Sequence, residues 1–212
     1  MIGRLVAREI RRGLGGPAWL PIAFFLLVGT LVPFAVGPDA ELLNRIGAGI
    51  LWIAALTAAL LPVERLVEPD RADGILDQLA LHGIAEETVA AAKIAGHWLT
   101  FGPLLLVAAV PASVLLAMDG AALVRTEIAL AIGTLGLAAL AVAVAAVTAG
   151  LPRASALASL LLLPIAIPLL IFGAAATGAE PSRALLLEAA VALLLLAGSP
   201  FVAGAAIRAG RT

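Results

Sequence analysis

Six stretches of this chain contain no Asp, Glu, Lys or Arg: 13–38, 46–63, 94–118, 128–152, 154–179 and 189–207. Their lengths run from 18 to 26 residues. A helix needs about 20 mostly apolar residues to cross a hydrocarbon layer roughly 30 Å thick. Backbone in lipid must satisfy its own hydrogen bonds, which leaves only helices and closed barrels. The runs lack the alternating polarity of barrel strands, so the barrel is set aside. The remaining reading is an all-α, polytopic membrane protein of six transmembrane helices. Composition agrees: 63% hydrophobic and 13% charged residues are too little polar material to coat a soluble globule.

The fourth and fifth runs are divided only by Arg153. Gly150 and Pro152 beside it predict a tight turn rather than one long helix. Spans are therefore expected near 18–37, 46–63, 94–118, 128–149, 155–176 and 187–207, within one transmembrane domain covering 1–212. The first run is longer than the apolar core of a secretion signal, so it is read as a span rather than a cleaved leader.

Six spans place both ends on one side, and basic residues orient the bundle. Arg4, Arg8, Arg11, Arg12, Arg65, Arg71, Lys93, Arg153, Arg208 and Arg211 lie on that side, against Arg45, Arg125 and Arg183 on the other. Ten against three predicts that both termini face the cytoplasm. The net charge of -1 gives no sign of nucleic-acid binding.

Two segments outside the spans carry pattern. In residues 2–14, Ile2, Leu5, Val6, Ile10 and Leu14 recur at helical spacing opposite Arg4, Arg8, Arg11 and Arg12. This predicts an amphipathic helix lying in the membrane interface, in contact with lipid, and broken by Gly15, Gly16 and Pro17. Such a helix either anchors the chain generically or packs beside the bundle. The second segment is the loop 64–93, dense in acids and bases up to Asp77. A short helix is expected from about Asp73 to Leu81, with Asp73 capping its N-terminus. Ile75, Leu76 and Leu79 form its apolar face, and Asp77 and Gln78 its polar one. Either this is a cytoplasmic coupling helix that meets a soluble motor, or it is an incidental helix in a solvated loop. Asp73 and Asp77, with His82 and Asp70, make too sparse an oxygen set for a metal site.

Ionisable residues within spans are functional candidates by default. His97 is a weak haem-ligand candidate; the plainer expectation is a neutral imidazole hydrogen-bonded between helices. Glu188 is expected near the outer surface, reaching water or Arg183, and Glu127 at the interface. Pro103 and Pro111 in the third span, and Pro164 and Pro168 in the fifth, predict kinks, either as hinges or as static bends. The fourth span is rich in Gly and Ala, from Gly133 to Ala146, which predicts close packing inside the bundle or at a subunit contact.

Catalytic signatures are missing. There are no cysteines, which excludes thiolate metal sites and disulfides. No G-x-x-x-x-G-K-[ST], HExxH or GxSxG occurs, so an energy source lies on a partner or in an ion gradient.

Four segments carry a resemblance: GPDAELLNRIGAGILWIAAL (37–56), VERLVEPDRADGILDQLAL (63–81), AAKIAGHWLTFGPLLL (91–106) and LPIAIPLLIFGAAA (163–176). In this order they resemble the haem exporter permease family of cytochrome c maturation, the B protein of that system (CcmB), from about residue 2 to the end. Pro62, Pro69 and His82-Gly83-Ile84 are mild departures around the acidic loop. The resemblance implies a non-catalytic membrane permease within an ABC-type transporter complex of the inner membrane. It implies partners: a separate ATPase subunit that holds ATP, a haem-handling membrane protein, a haem chaperone and a second copy of the chain. Haem is the implied cargo, although ATP could instead drive release of the loaded chaperone. Glu64, Arg65, Asp70, Asp73, Gly74, Leu76, Asp77, Gln78 and Leu79 are the expected ATPase-subunit contact. The alternatives are an ion-coupled carrier using His97 and Glu188, and a non-transporting scaffold.

Overall fold

The computed structural model describes residues 2–15 and 19–211. Gly16 and Pro17, expected to break the first helix, lie outside the described residues. Among the described residues every element is an α-helix: α1 (Ile2–Gly15), α2 (Trp19–Val36), α3 (Ala40–Leu60), α4 (Val63–Ala72), α5 (Ile75–Leu81), α6 (Glu86–Leu115), α7 (Gly120–Thr148), α8 (Ala154–Ala175) and α9 (Pro181–Ala209). Six are long and apolar enough to cross a membrane: α2, α3 with its continuation into α4, α6, α7, α8 and α9. The chain is a multi-pass membrane protein.

Helix starts fall outside the charge-free runs for a physical reason. Asp39 accepts from the backbone N–H of Leu42 at 3.0 Å and starts α3 well before residue 46. Asp119 does the same for α7, accepting from Ala122 at 2.8 Å. That bond and the Asn44 amide hold the Asp119 carboxyl below its usual range. α6 likewise begins at Glu86, because Lys93 is an internal helical residue rather than the end of a loop. The charge rule marks the lipid-filling part of each span and misses the polar turns that extend it.

α7 is the hub of the bundle, packed against α3, α4, α6, α8 and α9. Its run from Leu137 to Ala146 is buried throughout. The Gly and Ala content read from sequence lets neighbouring backbones approach. The Arg153 turn is formed as expected: Gly150 has φ +77 and Arg153 has φ +60, reversing the chain between α7 and α8.

The largest core side chain is Trp52 of α3, fully buried. Its indole lies between Gly133 of α7 and Gly173 of α8, and a Cβ at either glycine would overlap the ring. Glu188 of α9 reaches the same spot, and its Oε1 would lie 2.5 Å from a Cβ on Gly133. Glu188 is fully buried, and neither carboxylate oxygen has a hydrogen-bond partner among the described residues. The expected contact with Arg183 is not made; Arg183 pairs with Glu180 at 3.3 Å instead. Just over one turn of helix separates the exposed Arg183 from Glu188, and the twist carries Glu188 onto the α7-facing side.

His97 is also buried, with Nε2 unpartnered among the described residues. It stacks on Phe101 with ring centroids 5.6 Å apart, so a hydrogen bond between helices at Nε2 is not what holds it. Glu127 is half-buried, with Oε1 unpartnered among the described residues. Pro103 and Pro111 lie within α6, and Pro164 and Pro168 within α8; both helices continue through them. Three of these prolines are exposed on the bundle surface and Pro168 is half-buried.

Candidate functional site

The face carrying both described chain ends gathers α1, α4, α5, the start of α6 and the end of α9. α1 packs beside the bundle, on α6. Two glycines make this approach close. A Cβ on Gly96 of α6 would collide with the Cβ of Glu9, and one on Gly13 would meet Thr100 Cγ2 at 3.0 Å. Leu5 is buried, and Arg8 and Arg12 turn toward α4.

There they meet Asp70. Its side chain is 0% exposed and pairs with Arg8 at 2.9 Å, with Arg12 and with Lys93, whose own side chain is 1% exposed. Lys93 also pairs with Glu9 at 3.3 Å, and Glu9 with Arg8 at 2.6 Å. Burial works against the Arg8 charge, but the Glu9 hydrogen bond and the Asp70 charge outweigh it and raise its pKa. A buried charge survives only when it is paired and hydrogen-bonded. Asp70, named in the expected partner-contact set, is buried here and joins α1, α4 and α6. On the same helix, Glu68 pairs with Arg71 at 2.8 Å and accepts from the Gly150 backbone N–H at 2.7 Å. That bond fixes α4 to the α7–α8 turn.

The expected 64–93 loop is thus mostly helical, and the short helix begins later than expected. Asp73 does not cap its N-terminus. It is the C-cap of α4, with its N–H bonded to the Pro69 carbonyl. Gly74 takes the N-cap position of α5 in the left-handed region, φ +68, where a side chain would be strained. The chain needs that conformation to turn from α4 into α5, and a glycine accepts it where an aspartate resists.

The expected contact residues divide by exposure. Glu64, Arg65, Asp73, Asp77 and Gln78 are exposed, and Gly74 and Leu79 are half-buried. Leu76 is buried and anchors α5. Sequence reading missed Leu81, which is 87% exposed at the end of α5. Leu81 stands beyond the spans, on a polar segment.

A cleft of about 190 Å³ separates α4 and α5 from the ends of α7 and α9, lined by Val67, Arg71, Leu76, Asp77, Ala206 and Arg211 among others. Arg211, just beyond α9, closes it. Its Nη2 donates to the Leu76 carbonyl at 2.9 Å, its Nε pairs with Asp77 at 3.1 Å, and its Nη1 donates to Glu86 at 2.5 Å. Arg208, one turn earlier, donates to Glu87 at 2.5 Å. These partners are distant in sequence, and no local motif marks them.

Among the described residues, no group of three metal-ligating side chains comes together.

Comparison with known proteins gives a consistent result. The family model described as CcmB protein matches residues 1–210. Heme exporter protein B of Paracoccus denitrificans (strain Pd 1222) is 44% identical over 211 residues, covering 96% of this chain and 97% of that protein. Heme exporter protein B of Rhodobacter capsulatus is 42% identical over 211 residues, covering 96% and 97%. Heme exporter protein B of Escherichia coli (strain K12) is 42% identical over 194 residues, covering 89% and 88%.

Proposed function

The chain belongs to the CcmB family, and on that premise we propose that α5 and the exposed side of α4 dock a separate ATPase subunit. The chain is the membrane subunit of an ABC-type haem exporter in cytochrome c maturation. It contributes no catalytic group of its own; ATP is held and hydrolysed by the partner. The face bearing α1, α4, α5 and the end of α9 is cytoplasmic, in the inner membrane, as the ten-to-three distribution of basic residues favours. Haem is the cargo, or a loaded haem chaperone is released at the opposite face. A second copy of the chain and a haem-handling membrane protein complete the assembly.

The observation that carries the docking assignment is the exposed edge of α5. Asp73, Asp77, Gln78 and Leu81 are exposed beyond the spans, on a segment whose Leu76 is seated in the bundle. A charged rim around an apolar tip is the pattern of a protein contact.

The test is a pull-down of the tagged chain in mild detergent, followed by mass spectrometry. A P-loop ATPase is expected in the eluate. Asp73→Arg combined with Leu81→Asp should lower its recovery at least tenfold, with the chain itself still present at its usual level. Undiminished recovery would remove α5 as the docking surface.

A further inference from the structure

We infer that Arg211 is the positioning residue that makes α5 and α9 move as one body, so that displacement of α5 by the ATPase subunit is delivered along α9 to the opposite face. The inference rests on the reading of α5 as the docking helix.

α5 has only 7 residues. A helix that short is not stable alone and takes its position from its neighbours. Gly74 and Gly83 bound it, both at positive φ, +68 and +73. Backbone hydrogen bonds close both turns, from Gly74 N–H to the Arg71 carbonyl and from Ile84 N–H to the Leu79 carbonyl, but they lie within the α4–α6 segment, so the link from α5 to α9 is made by side chains. Leu76 supplies one apolar anchor. Among the described residues, the polar ties from α5 to the rest of the bundle converge on one guanidinium. Arg211 takes the Leu76 carbonyl and the Asp77 carboxylate together.

α4 is held by different groups. Asp70 fixes it to α1 and α6, and Glu68 fixes it to the α7–α8 turn. A push on α5 therefore meets a fixed α4 across the Gly74 pivot and an α9 attached through Arg211. α9 is one helix of 29 residues, about 44 Å at 1.5 Å per residue, which is enough to reach the far face. On the way it carries the buried Glu188 against Gly133 and Trp52. Movement of α9 thus reaches the most closely packed point of the bundle. Arg208 ties the same end of α9 to Glu86 and Glu87 of α6 instead of to α5, which makes it the matched control.

The test uses the full chain with its co-purified ATPase subunit in lipid nanodiscs, and cells lacking the native chain for cytochrome c output. The chain has no cysteine, so a nitroxide on His82→Cys, at the exposed C-cap of α5 and outside the docking set, reports α5 alone. Arg211→Ala should retain ATPase-subunit recovery and ATP hydrolysis within twofold, while cytochrome c output falls at least tenfold and the nitroxide spectrum becomes more mobile. Arg211→Lys, which keeps a charge for Asp77, should recover part of the output. Arg208→Ala should stay within twofold of wild type in every readout. The inference is overturned if Arg211→Ala leaves output or nitroxide mobility unchanged, if it releases the ATPase subunit, or if Arg208→Ala is equally damaging. Failure of the unmodified chain to retain any ATPase subunit is a separate result, and it overturns the docking assignment itself.

Discussion

At the scale of single residues, the molecule concentrates risk in two places. Asp70 faces Arg8, Arg12 and Lys93 together. A buried ion pair adds little over an apolar pair, yet removing Asp70 leaves the buried Lys93 ammonium with Glu9 alone, at 3.3 Å. Asp70→Ala should therefore destabilise the chain by about 3–5 kcal/mol, the usual cost of a stranded buried charge. A thermal melt in detergent measures it. Asp70→Ala with Lys93→Met should recover much of the loss, because the double change removes the buried ammonium together with the carboxylate that faced it. If the two changes add fully, the pair is not coupled. The second place is Trp52. Gly173→Ala inserts a methyl where the indole already lies, and overpacking of this kind costs about 1–3 kcal/mol. Combined with Trp52→Leu, the same alanine should cost less than it does alone. A larger cost in the double variant would refute the wedge.

At the scale of elements, α1 shows how a generic pattern hides a specific fit. Amphipathic spacing is all that an interfacial helix needs. Here the helix is seated by Gly96 and Gly13, which no periodicity in α1 reveals. Gly96→Val should lift α1 from α6. A single cysteine at Leu5, buried in the native fold, reports this. Its labelling by a membrane-impermeant maleimide should accelerate at least tenfold in the Gly96→Val background. Equal labelling rates would show that α1 sits on α6 without needing the glycine. α5 teaches the complementary lesson. Its acidic start has the look of a cap, but α4 runs on from the second span to Ala72 and claims Asp73 as its own end. A short polar stretch does not reveal which of two helices owns its boundary residue.

At the scale of the whole molecule, the six spans and the all-α class were legible because lipid permits so few alternatives. The Gly and Ala content of α7 was legible as close packing for the same reason. The site was legible only in part. The apolar face of Ile75, Leu76 and Leu79 placed α5, and Glu64, Arg65, Asp77 and Gln78 are exposed. The burial of Asp70 and Glu188 was not legible, because a charge carries no mark of its three-dimensional neighbours. Lys93 and Arg211 pair with residues 23 and 135 positions away, respectively, and such closures exist only once the bundle has formed.

The Asp70 junction also sets an order of construction. Its members come from positions 8, 12, 70 and 93, so it cannot close until the start of the third span has left the ribosome. α1 is synthesised long before its seat on α6 exists. Until then Arg8 and Arg12 are without the aspartate they meet in the finished bundle. An early product of translation is thereby among the later pieces to settle, and a chain stalled before Lys93 carries a helix with no place to go.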